Sequence, residues 1–169
     1  RRVSVDVVYL STDNPPEQRV LGEYPVLGFS TCKADACRWS LAMPSDMNVD
    51  REASLFAVLA AATASTESIR SVLDYVNTCH AGGDPTAAAL STANTVCTTG
   101  SNALSTAANR LAEIKVATFS SGSFYQAAVV AMEWTRKSST TANGDAHPGL
   151  VNVTNFLFQY YDRRTSTST

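Results

Sequence analysis

The chain has 169 residues, a formal net charge of −2, 44% hydrophobic residues and only 17% charged ones, against about 25% charged in an average domain. That length suits a single domain, 1–169, with one core, and the near-neutral charge excludes a general polyanion binder. No apolar run approaches the roughly 18–20 residues that cross a bilayer, so no membrane partner is expected.

In chain order, residues 1–44 read as strands. Val3 to Leu10 is β-branched and alternating, and Asp13-Asn14-Pro15-Pro16 breaks it. Arg19 to Ser30 reads as an irregular or edge strand, interrupted by Gly22, Pro25 and Gly28. Cys37 to Met43 puts Cys37, Trp39, Leu41 and Met43 on one face. From 50 to 114 the spacing reads as helical, giving about four helices in an Ala/Ser/Thr-rich middle. Asp50 is placed to cap the first, with Leu55, Phe56, Val58, Leu59 and Ala62 on its face. Ser65 caps a second, with the stripe Ile69, Val72, Leu73 and Val76; a strand fits that stripe less well. Asp84-Pro85 opens a third, which runs to about Thr99. Ser101 or Asn102 opens a fourth, ending near Leu111. Residues 114–161 return to strands, the last being Leu150 to Tyr161, and 162–169 form a polar tail. The expected fold class is therefore α+β, with N- and C-terminal strands flanking a helical middle.

Chemistry-bearing groups are sparse. His80 and His147 stand beside no plausible nucleophile–acid pair, and neither a Gly-x-Ser-x-Gly elbow nor a phosphate loop occurs. Asp46, Asp50 and Glu52 are explained by helix capping. Glu113 and Glu133 lie in alternating segments that can approach each other, and a solvent-facing pair is the simpler reading. No catalytic residue, metal ligand or cofactor is expected, and the chain is read as no enzyme. Cys32, Cys37, Cys79 and Cys97 allow three pairings. Cys32–Cys37 closes a short loop and Cys79–Cys97 joins two predicted helices; the rival is four reduced thiols packed as small apolar groups. Asn152-Val153-Thr154 is a glycosylation sequon inside a predicted strand. The first residue is not Met, so a processing or trimming step is expected upstream. Arg51, Arg70 and Arg110 are candidate RNA phosphate contacts on one surface. Trp134, Phe156, Phe158 and Tyr160 are candidate subunit contacts.

Asp84-Pro85-Thr86, then Ala103-Leu104 through Asn109-Arg110-Leu111, then Ser123-Phe124 and Trp134-Thr135, resemble the C-terminal half of rod-shaped, tobamovirus-like plant virus coat proteins. The resemblance covers about residues 55–135, with Leu55 to Val76 laid on that family's preceding helix and Arg70 on one of its RNA-facing arginines. The four Cys and the strand Leu150 to Tyr161 are additions to the family pattern. The resemblance implies a coat role. With the low charge and missing active site, it makes a non-enzymatic virus or phage coat subunit the expected function. Such a subunit self-associates into a homo-oligomer, encloses RNA and resides in the virion. The alternative is a secreted, extracellular, disulfide-bonded binding module, toxin-like or effector.

Overall fold

The structure is a computed structural model, and it describes residues 1–5, 9–10, 13–79, 94–97, 107–125, 128–137 and 146–166. Its strands are β1 (Arg2–Val5), β2 (Tyr9–Leu10), β3 (Glu17–Leu21), β4 (Tyr24–Phe29), β5 (Ala36–Ala42), β6 (Ala53–Ala61), β7 (Ser71–Cys79), β8 (Asn94–Cys97), β9 (Leu111–Phe119), β10 (Val129–Arg136) and β11 (Val151–Gln159); a short 3-10 turn, Arg163–Ser166, follows. No α-helix occurs among the described residues, so none there is long and apolar enough to cross a membrane. The α+β expectation is corrected to all-β.

The strands form two antiparallel sheets. One runs β3-β4-β11-β6-β9, with β1 also pairing with β11; the other runs β2-β5-β10-β7-β8. The four-strand sets β4-β11-β6-β9 and β5-β10-β7-β8 follow a jelly-roll order, which defines architecture and not activity. Inner faces meet through aromatic pairs that bridge the sheets. Trp39 stacks on Phe156 with centroids 4.4 Å apart, Phe29 meets Trp134 edge-on at 4.7 Å, and Tyr75 meets Phe119 edge-on at 5.1 Å.

Local chemistry explains why the middle misreads as helix. β6 is a near-continuous apolar run, Ala-Ser-Leu-Phe-Ala-Val-Leu-Ala-Ala, whose period cannot separate a buried strand from a helix. Its Leu55, Ala57 and Leu59 are fully buried, and alternate residues form the other face. The supposed caps belong to turns. The Asp50 N–H donates to the Asn48 side chain, and the Glu67 N–H donates to the Ser65 hydroxyl, side-chain turns that mimic an N-cap in sequence. In β7 the helical stripe splits, with Leu73 inward and Val72 and Val76 outward.

The third predicted helix lies mostly outside the described residues, and its Asn94–Cys97 part is strand β8. Of the fourth, 101–106 lie outside. Asn109 turns with φ +57, a left-handed conformation that Asn tolerates, and its N–H donates to the Ala61 carbonyl at 2.7 Å. The Arg19–Ser30 edge strand is a hairpin, β3–β4, turning at Gly22 with φ +64.

The C-terminal aromatics are also reassigned. Phe156, Phe158 and Trp134 are 0% exposed and Tyr160 5%. They fill the core between the sheets and are closed to a neighbouring subunit.

Candidate functional site

On the second sheet, alternation sends Trp39 (β5), Met132 and Trp134 (β10), and Leu73 and Tyr75 (β7) into the core. The intervening residues necessarily face outward. Register then aligns them across strands. Arg38 lies opposite Glu133, and Glu133 opposite Asp74; one step along, Ser40 lies opposite Ala131, and Ala131 opposite Val76. The small side chains of Ser40 and Ala131 leave a depression, walled by Leu10 of β2, with a volume of about 640 Å³. Its floor is Ser40, Ala131 and Val76, and its charged row is Arg38, Glu133 and Asp74. At about 4.8 Å between strands, that row spans about 10 Å.

The Arg38 Nε donates to Glu133 Oε2. Both groups are partly solvated, so the ion pair adds little to stability; its effect is to hold two polar side chains in position in the charged row. Among the described residues, no group of three or more His, Cys, Asp or Glu is placed to hold a metal ion.

Arg136, at the end of β10, is wholly buried. Its guanidinium donates to the Phe29 carbonyl at 2.6 Å, the Gly149 carbonyl at 2.8 Å and the His147 carbonyl at 3.0 Å. The Gly149 N–H donates to His147 Nδ1 at 3.2 Å. This cluster fastens the end of β4 and the segment before β11 to β10, the strand that carries Ala131 and Glu133. His147 is therefore placed as an internal support; His80 lies outside the described residues.

The residues singled out from sequence scatter. Arg51 precedes β6 and Arg110 precedes β9, both exposed. Because Ala53 pairs with Phe119 and Ala60 with Leu111, they sit at opposite ends of the ladder, about 24 Å apart at roughly 3.4 Å per residue. Arg70 precedes β7 near the Arg110 end, its carbonyl accepting the Lys137 N–H. The expected single basic surface does not form. Glu113 and Glu133 lie on different sheets, Glu113 paired with Arg2 and Glu133 with Arg38. Asp46 accepts from the Tyr160 hydroxyl at 3.0 Å and caps no helix.

Cys32 is exposed, Cys37 is buried, and both are free thiols, so the Cys32–Cys37 bridge is withdrawn. The Cys79–Cys97 bridge fails on register. Cys97 lies opposite Val72, and Val72 to Cys79 is roughly 23 Å of strand at about 3.3 Å per residue, whereas a disulfide needs Cα atoms within about 7 Å. The sequon is closed too: Asn152 is 3% exposed, and the Thr154 hydroxyl donates to the Val58 carbonyl.

Sequence reasoning missed Arg38 and Asp74 altogether. The only signal for them was alternation, polar residues interleaved with the apolar ones at Trp39, Leu41, Leu73 and Tyr75.

No family model matches the chain, and no curated protein matches it. Solved structures similar to it include a family 35 carbohydrate-binding module from an environmental isolate, with TM-score 0.47, 9% identity and coverage of 94% of this chain and 93% of that one. Another is TmCBM61 in complex with β-1,4-galactotriose, with TM-score 0.39, 9% identity and coverage of 95% and 88%. Neither is a coat protein. The tobamovirus resemblance and the coat-subunit reading are withdrawn: their helical middle is strand and turn, with no helix, wherever it is described, and their contact aromatics are core.

Proposed function

We propose that this chain is a non-catalytic binding domain whose groove on the outer face of the five-stranded sheet holds a glycan. The observation that carries the reading is the groove itself, a charged row of Arg38, Glu133 and Asp74 beside a small, partly apolar floor of Ser40, Ala131 and Val76. A sugar ring offers matching chemistry. Adjacent hydroxyls hydrogen-bond carboxylates and a guanidinium, and the C–H patches of the ring rest on Ala131 and Val76. Glu133 and Asp74 stand side by side on one sheet face. A glycosidase instead places its two carboxyl groups on either side of the scissile bond, so the arrangement suits binding better than hydrolysis. The similar structures named above are carbohydrate-binding modules, one holding β-1,4-galactotriose; the reading for this chain stands on its groove.

The test is titration calorimetry with β-1,4-galactotriose, cellotriose and a glucosamine trimer, on the parent chain and on Ala131→Trp. The expected result is saturable binding of at least one trisaccharide by the parent. Ala131→Trp fills the groove from a position that already faces outward, and should weaken that binding at least tenfold with an unchanged melting midpoint. Binding of none of the three by the parent, or equal binding by Ala131→Trp, overturns the reading.

A further inference from the structure

We infer that the groove takes three consecutive units of an extended, equatorially linked sugar chain lying across the strands, one unit to each of β5, β10 and β7. The inference rests on reading the groove as a glycan site and names the shape of ligand within it. Each of these strands contributes three consecutive residues to the lining, 38–40 from β5, 131–133 from β10 and 74–76 from β7. The middle residues, Trp39, Met132 and Tyr75, point into the core, so each strand offers the groove one charged side chain and one small or apolar one. Register lines these up as two parallel rows, Arg38-Glu133-Asp74 and Ser40-Ala131-Val76. The same pair of chemistries is thus repeated strand by strand, at about 4.8 Å per step. With Leu10 of β2 at one end, the groove reaches about 14 Å across the strands but only about 7 Å along any one of them. Its ligand is therefore long and lies crosswise, and a lone monosaccharide fills one repeat only. An extended pyranose chain advances by about one interstrand spacing per unit. Its hydroxyls then meet the charged row at every step, and its C–H faces meet the other row. Sheet twist sets the limit. Each strand is turned by roughly 20–25° from its neighbour, so a straight chain aligned over three strands has left both rows at a fourth.

The experiment titrates β-1,4-linked glucose and glucosamine oligomers of one to five units, and β-1,4-galactotriose, into the parent chain, Ser40→Trp, Val76→Trp and Ala131→Trp. In the parent, affinity for at least one series should climb roughly three- to tenfold per added unit up to three, the worth of about one net hydrogen bond, and then level off. A site for a single ring gains only in proportion to the number of rings offered. Ser40 is exposed and Val76 half-buried, and both face outward, so a Trp at either place stands in an end repeat. Each of these two variants should hold the trimer no more tightly than the parent holds the dimer, with its melting midpoint retained. Ala131→Trp, at the centre, should abolish the gain with length altogether. A gain that merely follows the number of rings, or one that continues undiminished at four and five units, overturns the three-unit reading; if Ala131→Trp still weakens binding, the glycan site stands. Full trimer affinity in folded Ser40→Trp and Val76→Trp also overturns it. Binding of β-1,4-galactotriose alone, whose axial linkage bends the chain, overturns the extended shape. Binding of none of these sugars is the failure of the glycan reading itself.

Discussion

Replacing Arg136 with Met tests how the groove-bearing strand is held. The guanidinium is fully buried and serves three carbonyls, those of Phe29, His147 and Gly149, at 2.6–3.0 Å. Methionine is of similar length and apolar, so little space opens; what is lost is hydrogen bonding. Each buried carbonyl left without its donor costs about 1–3 kcal/mol, a gross loss of about 3–9 kcal/mol. Against this, the Met variant no longer has to desolvate a guanidinium, which offsets several kcal/mol. The net expectation is about 3–5 kcal/mol of destabilisation, the range found when one partner of a buried charged network is removed. For a chain of this size that is a fall in melting midpoint of roughly 6–20 °C at about 2–4 °C per kcal/mol. Urea unfolding followed by tryptophan fluorescence reads it well, since Trp39 and Trp134 are both core residues. The denaturation midpoint should fall with an unchanged slope. Arg136→Lys, which keeps the charge but not the planar fork, should recover only part of the loss. A loss below about 0.5 kcal/mol, the scale of an ordinary surface substitution, would refute the claim that this side chain pins three segments together.

Two further outcomes follow from packing and burial. A Cβ at Gly149 would stand 2.6 Å from Thr63 Oγ1 and 2.8 Å from Thr63 Cβ; Gly149→Ala should therefore cost about 1–3 kcal/mol by thermal unfolding. Most of that should return in the double variant with Thr63→Gly, and full additivity would refute the clash. Burial, with Glu133 adding to it, pushes the Cys37 thiol well above its usual range, so pulsed alkylation with mass spectrometry should label Cys32 and spare Cys37 until the chain unfolds. Because the unfolded thiol ionises near pH 8.5 and the folded one does not, Cys37 favours folding below that pH. Its contribution is then lost at roughly 1.4 kcal/mol per pH unit as the solution becomes more alkaline. Cys37→Ala should flatten the alkaline arm of the stability profile, and an unchanged arm would refute the shift.

The two ends of the chain were legible because their strands carry one-sided alternation. Cys37, Trp39 and Leu41 declared the inner face of β5, and Phe156 and Phe158 that of β11. The middle was not legible. β6 is apolar on both faces, and its alanines and leucines suit a helix as well as a strand. Its flanking turns use Asn48 and Ser65, residue types that also cap helices. Assigning the C-terminal aromatics to subunit contacts failed for a different reason. A fully apolar face says that it is covered, not by what, and here the second sheet covers it. The groove was least legible of all. Arg38, Glu133 and Asp74 are far apart in sequence and ordinary singly; only the register of β5, β10 and β7 makes them a row.

The position of β11 has a consequence for how the chain is made. It is the last of the strands in sequence, yet in its sheet it lies between β6 on one side and β4 and β1 on the other. During synthesis from the N-terminus the first sheet therefore lacks its centre until residue 159 has been added. Until then β4 and β6 present unpaired edges and uncovered core residues, a state prone to pairing with other chains. Most of the contacts are long-range, so folding should be slow even after β11 has been made. Fragments truncated before Val151 should accumulate as aggregates rather than as smaller folded domains.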